Sequence, residues 1–196
     1  MRRNSFFISW LVLIAGLLGS VRGGAVDVGS AAALRDALGN ATVSGNVVML
    51  TGNVNLSSTL NITGGTMMLD LSGKTIIYDR TGTQDNATAI NVNGGGVIIK
   101  NGTIEVRAAK GKNGSIVAPV HYDGYEGYAA ICIQRNNGEI LLSDIKLIVK
   151  PGEGGDPAKW PWGSAAGSKG PSGKAYTIDP NTGTVNAMIA QGSYIV

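Results

Sequence analysis

Residues Leu60–Tyr78 (LNITGGTMMLDLSGKTIIY) and Ile90–Val106 (INVNGGGVIIKNGTIEV) are written to one layout. Each opens on an apolar-x-apolar triplet and passes a glycine-rich turn. A short aliphatic run follows, then a second turn and a closing aliphatic strand. The layout recurs in ICIQRNNGEILLSDIKLIV (Ile131–Val149) and more loosely in YTIDPNTGTVNAMIAQGSYIV (Tyr176–Val196). Strands this short cannot bury an apolar face alone, so repeated units must stack on one another to make a core. Aligning the triplets sets Ile62, Val92, Ile133 and Ile178 at equivalent positions, so the unit stays constant while the segments between units lengthen.

Those segments, Asp79–Thr88, Arg107–Tyr128 and Lys150–Ala175, all lie between a closing strand and the next opening triplet. Insertions at one point of a stacked repeat emerge side by side, which predicts a wall of loops along one flank. The composition agrees with many turns and little helix: 30 of the 196 residues are glycine, and only 15% are charged. Ser30 to Gly39 (SAAALRDALG) is the one predicted helix, with Ser30 as N-cap and Gly39 at its C-terminal end. Ala31, Leu34 and Leu38 share a face that would close the open end of the first coil, where strand edges need covering. Val47–Leu50 and Val54–Leu56, broken at Thr51-Gly52, would form that incomplete coil.

The chain begins with Arg2 and Arg3, an apolar run over Phe6–Leu18, and the small-residue exit Val21-Arg22-Gly23. This order is that of a secretory signal peptide spanning 1–23, with a retained N-terminal anchor as the alternative. The run falls short of the roughly twenty residues of a membrane span. Removing it takes three arginines and no acid, so the formal charge drops from +3 to zero. A nucleic-acid partner therefore has no electrostatic footing. The remaining domain, 24–196, ends on Tyr194-Ile195-Val196 in a strand pattern without a polar cap, which predicts further coils beyond it or a covering chain. A lone cysteine, Cys132, excludes an intrachain disulfide. Strict alternation along Ile131-Cys132-Ile133 would point its sulfur outward, as a partly exposed thiol.

With these strings in place (VVMLTGNVNLSSTLNI, MMLDLSGKTI, VIIKNGTIEV), the chain resembles a right-handed parallel β-helix of the pectate-lyase-like superfamily. In texture it is closest to secreted bacterial surface and adhesin-like members. The resemblance implies an all-β solenoid with a short N-terminal capping helix over Gly29–Val149. It does not choose an activity, because the scaffold carries lyases, hydrolases and proteins without catalysis. An enzyme of this class would bring calcium held by acids with a catalytic Arg or Lys, or paired aspartates.

Glycoside hydrolysis requires two carboxylates about 5–10 Å apart on one surface. The strand acids Asp70, Glu105, Glu139 and Asp144 stand singly, and Asp70 and Asp144 suit turn geometry. The loop acids Asp123, Glu126, Glu153 and Asp156 are the catalytic candidates, should the wall bring them together. His121 is the only histidine, which leaves no metal site and no serine triad. Gly94-Gly95-Gly96 and Gly154-Gly155 lack the Lys-Ser/Thr of a phosphate loop and are expected as turns. Tyr122, Tyr125, Tyr128, Trp160 and Trp162 all lie on the loop wall. They could offer flat faces to sugars or proteins, or fold back to pin the long loops. Six Asn-x-Ser/Thr triplets, at Asn40, Asn55, Asn61, Asn86, Asn101 and Asn113, read first as turn and rung residues and second as glycan acceptors.

These readings converge on a secreted or cell-surface module of structural or adhesive role, without cofactor, that meets polysaccharide or a surface protein through its flank. The alternatives are a polysaccharide lyase or glycoside hydrolase, with calcium in the lyase case, and a fibre subunit joined end to end.

Overall fold

A computed structural model describes residues 25–39, 46–117 and 119–178, with the backbone of 187–189 and 194–195. The leader 1–23, Asn40 and the last residue, Val196, lie outside the described residues. The chain is a curled sheet of parallel strands in three rows. The first row stacks β1 (Val26–Val28), β2 (Asn46–Leu50) and β5 (Thr66–Asp70). It continues through the middle of β7 (Ala87–Arg107) and of β8 (Ala130–Lys150) to β10 (Ala187–Ile189). In the second row β3 (Val54–Leu56) and β6 (Thr75–Asp79) lie on the ends of β7 and β8, followed by β11 (Tyr194–Ile195). The third sets β4 (Leu60–Ile62) against the beginnings of β7 and β8, then β9 (Ala175–Ile178).

The rows follow from side-chain alternation. Leu69, Ile99 and Leu142 are in register, as are Val54, Ile76, Ile104 and Leu147. All belong to one buried core. On the opposite face of the first row, Val47, Met68, Ile98 and Leu141 form a second buried ladder. Each fully buried Leu or Ile contributes roughly 1.5–3 kcal/mol, so the rows supply most of the stabilisation. The outer face of the third row carries an amide ladder: Asn91 Nδ2 donates to Asn61 Oδ1 (3.0 Å) and Asn136 Nδ2 to Asn91 Oδ1 (2.8 Å).

Corners use special backbone. Asn101 and Asp144 adopt φ of 59° and 54°, and Asp70 Oδ1 accepts both the Ser72 N–H (2.9 Å) and Asn101 Nδ2 (3.1 Å). Burial pushes the Asp70 carboxyl up, but these hydrogen bonds and Lys100 outweigh it and hold the group below its ordinary range. At Gly95, φ is 68° and any Cβ would overlap the Gly65 carbonyl, so only glycine serves that corner.

Helix α1 (Ala31–Gly39) is capped by Ser30, whose Oγ accepts the Ala33 N–H at 3.2 Å. Two turns of helix are not stable alone in water. Here Leu34 and Leu38 are buried in the core against β1–β4, with Ala31, Ala33 and Ala37 packed beside them.

Two expectations are corrected by the register. The third unit is displaced by two residues: Ile133 pairs with Ile90 and Ile178, and Val92 pairs with Arg135. The equivalent positions are thus Leu60, Ile90, Ile133 and Ile178. Cys132 faces inward, at 0% exposure, with Sγ near the carbonyls of Ile148 (3.6 Å) and Ile104 (3.7 Å). The alternation changes phase at this corner, so consecutive residues Cys132 and Ile133 both enter the core, as Ala89 and Ile90 do one layer below.

Burial pushes the Cys132 thiol up to about 12. Thiolate is the reactive form, so the folded protein at pH 8 should not react with a disulfide reagent such as DTNB, whereas the denatured chain should react fully. Because the folded value lies above the unfolded one, this group's stabilisation is complete below about pH 8.5 and is lost as pH rises toward 12. Rapid labelling of the native protein would contradict the inward placement.

Candidate functional site

All three insertions leave the end of the second row and return at the start of the third. The second and third build a common flank from four extended threads, 108–114, 122–128, 151–158 and 167–174. The second thread runs antiparallel to the first, with Tyr125 N donating to Lys112 O (2.9 Å) and Tyr128 N to Ala109 O (3.1 Å). The third thread runs parallel to the first: Gly111 N donates to Glu153 O and Gly114 N to Asp156 O, both 2.8 Å. It also takes antiparallel bonds with the second, from Gly152 N to Tyr128 O (2.9 Å) and Gly155 N to Tyr125 O (2.8 Å). The fourth accepts from Gly124 at Ser168 O and from Gly127 at Pro171 O, and donates from Gly170 to Gly155 O and from Gly173 to Gly152 O.

Every such series advances by three residues. That is the period of a polyproline-II helix, which has three residues per turn and no internal hydrogen bonds. Glycine keeps the same period: 111 and 114, 124 and 127, 152 and 155, then 167, 170 and 173. These positions face the neighbouring backbone so closely that a Cβ on Gly152 would overlap the Ala109 carbonyl, and one on Gly124 the Gly155 carbonyl. The expected turn at Gly154-Gly155 is therefore replaced by extended thread, held there by bonds to Tyr125 and Gly170. The signal for these threads in the sequence is the three-residue glycine spacing, which the glycine total does not convey.

Three residues per turn place residues i and i+3 on one side. Tyr122, Tyr125 and Tyr128 thus form one row of the second thread, and Asp123 and Glu126 the next. Tyr128 is half-buried against the core and anchors the flank. Trp160 is half-buried, while three candidate aromatics face outward: Trp162 is 72% exposed, Tyr122 46% and Tyr125 43%. Trp160 and Trp162 stack with centroids 5.3 Å apart and planes at 8°, and Tyr122 lies 5.8 Å from Trp160. His121 stacks on Tyr125 at 4.1 Å, and its Nδ1 sits 2.6 Å from the Asp123 carbonyl. Of six exposed large hydrophobic residues among those described, five (Val117, Val120, Tyr122, Tyr125 and Trp162) are on this flank.

Three of the four candidate acids are engaged, each with a different partner. Asp123 Oδ1 accepts the Ser168 N–H (2.7 Å), which ties the second thread to the fourth. Glu153 pairs with Lys169 (3.1 Å) and Asp156 with Lys110 (2.5 Å). The Lys110 ammonium holds Asp156 below the usual carboxylate range. Glu126 is exposed on the outer surface. Glu153 and Asp156 share a row on the third thread, each drawn to a lysine of a different neighbour. At the mouth of the flank, Lys150 first and then Arg107 hold Glu105 low, and Arg107 also reaches Asp79 (3.2 Å). Among the described residues no group of three or more His, Cys, Asp and Glu is placed to hold a metal ion, and no helix is long and apolar enough to cross a membrane.

Four of the Asn-x-Ser/Thr asparagines have structural partners: Asn61 in the amide ladder, Asn86 with Ala129 N–H, Asn101 with Asp70, and Asn113 with Asp156 N–H. Asn55 is exposed on β3.

Comparison with models of protein families, with curated proteins and with solved structures found no match.

Proposed function

We propose that this chain is an exported right-handed parallel β-helix module, secreted or held at the cell surface, whose flank binds a polymer without transforming it. The parallel rows and their common core support the solenoid reading, with helix α1 as its cap. The observation that carries the binding reading is the concentration of exposed aromatic surface on the glycine-rich flank, on residues locked by mutual stacking. Rigid aromatic faces bind at low conformational cost, which suits sugar rings and extended protein chains alike. Asp123, Glu153 and Asp156 are committed to a backbone N–H group and to lysines, as befits ties between threads.

The test is binding of the purified protein to immobilised polysaccharides and peptides, compared with a Tyr122→Ala/Trp162→Ala double variant. At least one ligand class should be retained by the wild type and lost at least about ten-fold by the variant, with unchanged melting and no product released. Release of unsaturated or reducing sugar would move the reading to a lyase or hydrolase. Retention by neither protein would remove it.

A further inference from the structure

The outer ladder of the first row is buried where its neighbours are not. Val47, Met68, Ile98 and Leu141 point away from the core, yet each is between 5% and 9% exposed. Two residues along on the same face, Met49, Asp70, Lys100 and Ser143 are only half-buried, and so is the outward Ile77 of β6. Among the described residues no other apolar side chain packs against this cluster.

The place where the described chain begins points to the cover. Val26 of β1 pairs with Val48 of β2, so one residue back Ala25 stands beside Val47, at the foot of the ladder. Before Ala25 comes a short link with Gly19, Gly23 and Gly24, and before that the apolar run Phe6–Leu18. Only Ser9 and Gly16 interrupt the run, so as a helix it is apolar on every side and needs burial. Its helical length would be about 20 Å, at about 1.5 Å per residue. The register carries the ladder from Val47 through Leu141 to position 188, which is about 19 Å at about 4.8 Å per strand. Cover and ladder thus match in length, and they share one end.

We propose that in the unprocessed chain Phe6–Leu18 folds back from Ala25 and lies along the Val47–Met68–Ile98–Leu141 ladder. The leader is then the cover of the sheet's outer face, and its removal bares an apolar strip. That strip lies on the first row, away from the flank between the second and third, so the two faces act independently.

Methionine oxidation tests this on the full chain purified with residues 1–24 intact. Under dilute hydrogen peroxide, Met68 should be oxidised about ten-fold more slowly in that chain than in a Leu11→Asp/Leu13→Asp variant. These two leucines fall on opposite sides of a helix, so no rotation of the run avoids both charges. Met67, fully buried on the inner face, should stay slow in both and reports that the sheet is intact. If Met67 becomes fast in the variant, the comparison passes to a chain folded first and then cut at a protease site placed between Gly23 and Gly24. Cutting should release the run and speed Met68 alone. Equal Met68 rates with and without an intact apolar run, whether fast or slow, would overturn the proposal. Protection of Met68 in the variant that appears only on raising the concentration would assign the ladder to a second copy of the chain, and would overturn it as well.

Discussion

Replacing Gly152 with alanine will destabilise the flank by about 3 kcal/mol, a large effect for one added methyl group. The methyl would fall on the carbonyl of Ala109, and the backbone of Tyr128 closes the site from another side. Neither neighbour is a flexible side-chain tip that could swing away. The third thread must shift, and its bonds to Tyr128 and from Gly173 break together. The thermal midpoint should fall by roughly 6–12 °C if the flank unfolds with the sheet. If it opens by itself, the near-UV signal of the stacked Trp160 and Trp162 should disappear before the far-UV sheet signal. Gly82→Ala is the control, since nothing lies within 4 Å of its added Cβ. It should stay within about 0.5 kcal/mol of wild type. Equal melts for the two variants would disprove the close packing of threads.

The second large effect separates two adjacent isoleucines. Ile76 is fully buried, in register with Val54 and Ile104, while Ile77 aligns with Asn55 and Glu105 on the outer face and is only half-buried. Ile76→Ala should cost about 3–4 kcal/mol through lost burial and the cavity left between layers. Ile77→Ala should cost about 1 kcal/mol, the value of partial burial. Chemical denaturation reads both. A reversed order would mean that β6 is paired one residue out of register, since a single-residue slip exchanges the two faces.

The stacked rows were legible because each unit repeats a period-two apolar pattern, and local sterics suffice to write it. Legible too was the common exit point of the insertions, since it is a matter of chain order. The phase change at Ala89/Ile90 and Cys132/Ile133 was not legible. At a corner, which side faces inward depends on where the next layer sits, and Ile133 is placed by its pairing with Ile90 and Ile178. The same pairing sends the Cys132 sulfur into the core. Glu105 reads as a lone strand acid, yet Arg107 of its own strand and Lys150 of the adjacent layer make it part of a charged cluster.

By itself the amino-acid order determined a stack of short parallel strands, a capped first helix and a flank built from insertions, because turns, caps and alternation act within a few residues. Only the tertiary structure decided that two of those insertions become four glycine-faced threads, with Tyr122 beside Trp160 and His121 on Tyr125. Their backbone hydrogen bonds join residues 13 to 44 positions apart, such as Tyr125 to Lys112 and Gly124 to Ser168. No thread can bond to itself, so its conformation exists only when its neighbours are present to accept and donate.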